Sequence, residues 1–362
     1  MIHTDILIIG GGPSGLCAAI TAGKSGAEVL LVDRSPYLGG QLVKQTHMFF
    51  GSEKQYASTR GFDIGKRLIE QVSNYDNVTV LHSTTALGIY EDGVVTLEQK
   101  IESEEVFLKV RAKSIIIGTG ALEKSLPFPN NDLPGIYGAG AVQTLMNEYL
   151  VKPGKRVLMV GAGNIGLIIS YQLIQAGVEV AGIIDASPKI GGYLVHASKI
   201  RRSGVPILTG YTIVRAEGKD HLEKAIIAKV DQNWKPISGT EKELSVDVMC
   251  ISVGLTPSSA FFWQVGCEMK YVGELGGYVP KRNEYLQTTV KNIYVAGDSA
   301  GIEEASSAMV EGSISGLAAS RELGFIYEGY TQEMKELLLE LDGLRGGEKG
   351  THIREGYEKV CL

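Results

Sequence analysis

The sequence predicts an α/β protein in which one strand–turn–helix–strand unit is built twice. Two observations predict it. Residues 6–43 and 157–195 are versions of one another: Gly10, Gly12, Gly15, Gly26, Glu28 and Val29 match Gly161, Gly163, Gly166, Gly177, Glu179 and Val180. After one inserted residue, Ser35-Pro36 and Gly39-Gly40 match Ser187-Pro188 and Gly191-Gly192. Glycine is also abundant, 46 of 362 residues against 11 prolines, which points to tight turns and close backbone approaches.

Each copy has the same parts in the same order. Residues 6–9 and 157–160 are apolar runs whose length and β-branched content fit buried strands. Each enters G-x-G-x-x-G, then a helical stretch of small and apolar residues closed by Gly26 or Gly177. A second apolar run ends in an acid, Asp33 or Asp185. β-rich stretches follow at 78–81, 86–90, 94–99 and 106–110, and again at 212–217, 222–230 and 246–252, with Glu91-Asp92-Gly93 as a hairpin turn. Residues 114–117 and 246–252 each run into a glycine turn suited to carrying the chain across a domain border. Ile293 to Ala296 is a further buried strand, ending in Gly297-Asp298, and 305–323 has the Ala, Gly and Ser content of a closely packed helix.

Composition narrows the function. Apolar residues are 44% and charged residues 21%, ordinary for a globular protein with a core. The net charge of −6 argues against nucleic acid, whose phosphates call for clustered Lys and Arg. Cys17, Cys250, Cys267 and Cys361 are scattered with no C-x-x-C, so neither a disulfide framework nor a metal site is expected. Residues 6–20 look like a signal-peptide core, but no Lys or Arg precedes them, and no run approaches a membrane span. The expectation is a cytoplasmic, unprocessed chain.

The repeated fingerprint has a physical reading. The first glycine permits the tight turn, the second lets the backbone approach a pyrophosphate, and the third lets helix and strand pack closely. The helix N-terminus then offers N–H groups and the positive end of its dipole to the diphosphate. Asp33 and Asp185 are placed to accept hydrogen bonds from an adenosine ribose. The alternative, for either copy, is a retained scaffold that binds nothing.

Taken in order, GGGPSG with Asp33, IIIGTGA, GAGNIG with Asp185, and YVAGDSA resemble the two-dinucleotide-binding flavoproteins, the fold of glutathione and thioredoxin reductases. The resemblance covers residues 1 to about 325. It implies two Rossmann-like, three-layer ββα domains, with an NAD domain (122–251) inserted into an FAD domain (1–121 and 252–328) and a helical tail at 329–362. The FAD residues it implies are Gly10, Gly12, Pro13, Ser14, Gly15, Asp33, Arg34, Gly40, Gln41, Leu42, Thr46, Ala86, Thr119, Gly120, Gly297 and Asp298. Those implied for NAD are Gly161, Gly163, Asn164, Ile165, Gly166 and Asp185. Asp298 would bond the ribityl or pyrophosphate part of FAD, and the helix after it would point at the flavin's pyrimidine end.

The departures from that pattern are informative. Disulfide reductases relay electrons through a cysteine pair, and here residues 40–61 hold no Cys while Cys250 stands alone. The chain is therefore not expected to be a disulfide reductase. Residues 118–147 and 191–213 are more similar to the alpha-type subunits of heteromeric sarcosine oxidase, dye-linked L-proline dehydrogenase, opine oxidase and hydrogen cyanide synthase. That likeness implies a second flavoprotein subunit as partner, with the amine site on the partner.

Asp185 favours NAD over NADP, since an acid repels a 2′-phosphate, although Lys199, Arg201 and Arg202 could reach one. His47 is either a proton donor near flavin N5 or N1 or a loop histidine beside core aromatics. His196 is expected to cap or pack. Trp234, Phe261, Phe262 and Trp263 are expected in a core or interface, and the tail holds one amphipathic helix. The expected function is an FAD- and NAD(H)-linked oxidoreductase, oligomeric, serving as an electron-handling subunit of an amine or amino-acid dehydrogenase or oxidase. The alternatives are a stand-alone NADH-dependent reductase of a small molecule or redox protein, and a structural subunit that binds nucleotide without turnover.

Overall fold

The computed structural model describes the backbone of residues 1–362, and the side chains at all positions but 348 and 349. The chain forms two units: Met1–Leu122 together with Thr256–Leu362, and Glu123–Leu255.

Unit 1 begins β1 (Ile2–Ile9), α1 (Pro13–Lys24), β2 (Val29–Val32), α2 (Gly61–Val72), β3 (Val78–Leu81), β4 (Thr84–Ile89), β5 (Val94–Ile101) and β6 (Glu104–Ile117). The chain leaves through β7 (Ala121–Glu123). Unit 2 runs β8 (Ile136–Gly138), α3 (Ala139–Asn147), β9 (Arg156–Val160), α4 (Asn164–Gln175), β10 (Glu179–Asp185), α5 (Leu194–Arg202) and β11 (Ile207–Thr209). It ends with β12 (Tyr211–Glu217), β13 (Lys224–Lys229), β14 (Lys242–Ser245) and β15 (Val248–Ile251). The chain returns through β16 (Leu255–Pro257) to α6 (Ala260–Gln264), β17 (Met269–Val272), β18 (Gly277–Pro280), β19 (Ile293–Val295), α7 (Ala305–Glu322), α8 (Tyr330–Leu344) and α9 (Gly347–Glu358).

The two parallel sheets share one plan. Unit 1 orders its parallel strands β3-β2-β1-β6-β19, and unit 2 orders β11-β10-β9-β15-β8. Side chains alternate across each strand, and that alternation makes three layers. Ile6 and Ile8 of β1 face a core with α1, α2 and α7, whereas Leu7 and Ile9 face the β4–β6 meander. In unit 2, Val157 and Met159 face the helices, while Leu158 and Val160 face the β12–β14 meander. Each unit is thus a ββα stack. Helix α7 is rich in small residues because it lies against α1: a Cβ on Gly312 would come 2.0 Å from the Ser14 carbonyl oxygen, and one on Gly316 2.4 Å from that of Ala18.

The structure corrects two expectations. Segments 106–110 and 114–117 are one 14-residue strand, whose first half pairs antiparallel with β5 and whose second half pairs parallel with β1. The polar stretch around Arg111 and Lys113 hid that continuity. The tail holds a second helix, α9, whose glycines and charges mask its period, and both tail helices belong to unit 1. Of the four aromatics expected in a core or interface, Phe262 is fully buried in the core, while Trp234 and Trp263 are 60% and 53% exposed. Trp234 sits in a turn at φ +63°, and Trp263 makes an edge contact with Tyr278.

Candidate dinucleotide-binding sites

The glycine loops of the two units are held to nearly the same dimensions. Gly11 N–H donates to Asp33 Oδ2 at 2.6 Å, and Ala162 N–H to Asp185 Oδ2 at 2.7 Å. The other carboxylate oxygens accept from Ser35 N–H and Ser187 N–H, both at 2.8 Å. The acids that close β2 and β10 therefore clamp the loop to the following turn. Gly10 and Gly161 have φ near +110°, and a Cβ on Gly15 or Gly166 would lie 1.8 or 2.1 Å from the carbonyl oxygen of Gly10 or Gly161. The first and third glycines are required by the fold itself.

The middle glycines are not. Gly12 and Gly163 are the N-caps of α1 and α4 with φ −77° and −74°, ordinary for any residue. A Cβ on Gly12 would meet only Gly40 Cα at 3.9 Å, and one on Gly163 would meet nothing within 4 Å. Neither backbone strain nor packing explains a missing side chain there. Space kept clear over a helix N-terminus fits a diphosphate approaching the amides. The residues present thus fit a dinucleotide in each unit.

In unit 1 three segments converge at this loop. The missing Cβ atoms of Gly118 and Gly297 would lie 3.0 and 2.8 Å from Ser14 Oγ. Thr119 and Ser299 hydroxyls lie 3.2 Å apart, and Ser299 donates to the Gly120 carbonyl. Gly40, at φ +51°, faces Gly12, where a Cβ would come 2.7 Å from its Cα. Asp298 is half-buried in the turn between β19 and α7. Burial raises its carboxyl to about 7, helped by the nearby charges of Glu311, Glu303 and Glu304 against one bond from the Glu303 backbone. Helix α7 starts at Glu304 without a side-chain cap and with no acid in its first turn.

The remaining expected residues are placed as follows. Arg34 and Gln41 are exposed, Thr46 is half-buried, and Ala86 lies on β4. Leu42 is fully buried in the helix-side core, so what it offers a ligand is backbone. His47 stacks on Phe49, ring centroids 5.7 Å apart, in a loop where Met48 and Phe50 are exposed. In unit 2, Asn164 Oδ1 accepts from Tyr193 N–H at 2.8 Å and ties the α4 start to the second Gly-Gly turn. Ile165 is exposed, and His196 is buried against Tyr193. Lys199 lies over the Tyr171 ring, while Arg201 and Arg202 are exposed on the last turn of α5.

One residue the sequence reading missed is Glu311. It is buried in α7 and accepts the Gly297 N–H through Oε2 at 2.9 Å. An acid in mid-helix, flanked by apolar and small residues, was the signal available. Among the described residues, no group of three or more His, Cys, Asp and Glu could hold a metal ion, and no helix is long and apolar enough to cross a membrane.

Against known proteins, residues 4–312 match the family model described as pyridine nucleotide-disulphide oxidoreductase. The chain belongs to that family. Membership implies binding of a flavin and a nicotinamide nucleotide. Sarcosine oxidase subunit alpha of Rhizobium meliloti is 28% identical over 89% of this chain, which spans 31% of that protein. Hydrogen cyanide synthase subunit HcnB of Pseudomonas protegens is 25% identical over 92% of this chain and 75% of its own length. The chain thus covers about a third of the first relative and three quarters of the second. Among solved structures, L-proline dehydrogenase from P. horikoshii superposes with TM-score 0.71 at 22% identity, over 92% of this chain and 59% of that one. Thioredoxin reductase of T. acidophilum gives 0.70 at 21%, over 90% and 100%. Both support the family's fold.

Proposed function

We propose that unit 1 holds FAD on the Gly10–Gly15 loop and unit 2 holds NAD(H) on the Gly161–Gly166 loop. In this reading the chain passes hydride between them as a subunit of a heteromeric amine or amino-acid dehydrogenase or oxidase. The observation that carries it is the pair Gly12 and Gly163, two helix N-termini kept bare for no reason internal to the protein. Bound, the flavin supplies a ring that accepts or gives two electrons with a nicotinamide.

The chain's own residues bind and orient. The amides at the starts of α1 and α4 would hold the two diphosphates. Asp33 and Asp185, whose oxygens already hold the loop amides, present remaining lone pairs to a ribose hydroxyl. The raised carboxyl of Asp298 can keep its proton near neutrality and approach a polar group of FAD as a donor, without adding a full charge beside phosphate. Helix α7 would direct its N-terminal amides at the flavin's pyrimidine end. Asp185 supports NAD over NADP by repelling a 2′-phosphate.

Disulfide reduction is disfavoured by the state of the thiols. Cys17, Cys250 and Cys267 are buried, and burial raises all three, Cys17 to about 12. Such thiols stay protonated and are poor relays. Cys361 alone is exposed. The partner subunit and the amine substrate class are supported by the subunit names of the relatives.

The test is an anaerobic titration of the FAD-loaded protein with NADH and, separately, with NADPH, following the flavin's visible band. The expected result is bleaching by NADH at far lower concentration than NADPH. Bleaching by neither, with FAD bound, would overturn the hydride path. Co-purification from the native source, with amine oxidation lost when the second chain is removed, is the expected result for the subunit assignment.

A further inference from the structure

The turn that carries Gly297 and Asp298 is held at both ends by buried charged side chains. At its start, Glu311 Oε2 accepts the Gly297 N–H. At its end, Arg282 Nη2 donates to the Ala300 carbonyl at 2.6 Å, and Arg282 is itself 2% exposed. Both holding groups lead into the C-terminal tail. Arg345, which follows α8, pairs with Glu311 Oε1 at 2.5 Å and with Glu303 Oε1 at 2.6 Å. The Tyr357 hydroxyl of α9 lies 2.7 Å from Glu303 Oε1 and 2.9 Å from Glu311 Oε1, and donates its proton to that pair. The guanidinium groups of Arg282 and Arg345 lie over the Tyr357 ring, 4.4 and 3.7 Å from its centroid. Backbone bonds join Arg282 to Val360 and Leu362, at 3.0 Å each.

Stability alone is a weak reason for such a cluster, because desolvating charges costs about as much as pairing them returns. What the cluster does uniquely is divide Glu311 between two tasks. One oxygen takes the tail's cations and hydroxyl, and the other takes the turn's amide. Burial and the neighbouring Glu303 push the Glu311 carboxyl up, while Arg345 and Arg282 draw it down. Without Arg345, the Glu311 carboxylate loses the partner that fixes Oε1 and with it the orientation in which Oε2 holds the Gly297 amide.

We propose that Arg345 and Tyr357 are positioning residues of the flavin site: the tail clamps the Gly297–Ala300 turn through Glu311 and Arg282 and so fixes Asp298 where the cofactor is held. The proposal rests on the FAD reading of unit 1, and its test separates the two.

The experiment compares the full-length wild type with Tyr357→Phe, Arg345→Ala, Arg345→Lys and the control Lys359→Ala. The control removes the tail's ion pair with Glu274, which does not touch the turn. Two quantities are read. One is hydrogen exchange of peptides spanning residues 295–301 in the FAD-free chain, and the other is FAD affinity by quenching of flavin fluorescence. Expected are faster exchange in all three clamp variants, FAD affinity weakened about tenfold in Y357F and about a hundredfold in R345A, and partial rescue in R345K. K359A should match wild type in both. Clamp variants that fold and match wild type in exchange and affinity would overturn the proposal, and so would K359A matching their losses. Should R345A fail to fold, Y357F decides the matter. A wild type that takes up no FAD would sink the flavin reading, while the exchange arm still decides whether the tail clamps the turn.

Discussion

Unit 1 and unit 2 follow one plan, and where they diverge shows what each position is for. The loop residue after the first glycine is Gly11 in unit 1 and Ala162 in unit 2. A Cβ on Gly11 would come 2.4 Å from Leu38 Cδ2, so the leucine imposes the glycine. Unit 2 has Ile190 at the matching place and buries Ala162 completely. A larger divergence lies beyond the outer strands β19 and β8. In unit 2 the start of α3 is occupied by the chain's own carboxylate, with Gly140 N–H donating to Glu123 Oε1 at 2.6 Å. In unit 1 the start of α7 has no side-chain cap, and the acid that serves the turn, Glu311, approaches from within the helix. One unit places a carboxylate at its second helix N-terminus, and the other has no side-chain cap there. The long strand differs as well: β6 is continuous, whereas β14 and β15 are parted at Asp247, whose carboxylate accepts the Lys155 and Arg156 amides.

The largest expected effect tests what the units share. Gly15→Ala and Gly166→Ala each drive a methyl into a carbonyl oxygen, with no flexible atom to yield. Each should cost more than about 4 kcal/mol or abolish folding, measured by denaturant melts. A mild effect in one unit alone would mean the two loops are not equivalent. Next come Gly12→Ala and Gly163→Ala, which should cost no more than about 1 kcal/mol of stability at the N-cap while separating the ligands. The first should weaken FAD binding about a hundredfold, some 2.7 kcal/mol, and the second should do the same to NADH only. Unchanged affinity in G12A would remove the observation on which the functional reading rests.

These loops were legible in the sequence because the residues of their fingerprint lie within one strand–turn–helix–strand unit. Gly10, Gly15, Asp33 and their counterparts meet over a few dozen residues, so spacing alone reveals them. Glu311 with Arg345, or Glu123 with Gly140, depends on which distant segments the fold brings together. A single chain's pattern carries no sign of those contacts. The tail was misread for a related reason: α9 is fixed by half-buried Ile353 and Tyr357 against Val272, Leu275 and Val279, and by the Tyr357 hydroxyl on Glu303 and Glu311, all contacts with distant segments.

Gly11→Ala should fall between the extremes. The methyl meets a side chain rather than backbone, so Leu38 can shift, and a loss of about 1–3 kcal/mol is expected. Adding Leu38→Ala should recover much of it, and Ala162→Gly in unit 2 should cost less than about 1 kcal/mol. A double variant no better than G11A would show that something other than Leu38 excludes the alanine.

The smallest effect belongs to Asp298, whose counterpart turn in unit 2, Gly138-Ala139-Gly140, carries no titratable side chain. In the folded, FAD-free chain its carboxyl keeps a proton up to about 7, while the unfolded chain releases it near 3.8. Between those values the folded state binds the extra proton, so stability contributed by this group falls as pH rises through the window and levels off above 7. Because the carboxyl is only half-buried, water screens part of the penalty and makes the decline shallower. Asp298→Asn should flatten that part of the stability-against-pH curve measured from pH 4 to 8, whereas Glu123→Gln in unit 2 should leave it in place. A wild-type curve already flat across the window would mean that neither burial nor the nearby Glu311, Glu303 and Glu304 raises Asp298, and that the turn carries a full carboxylate.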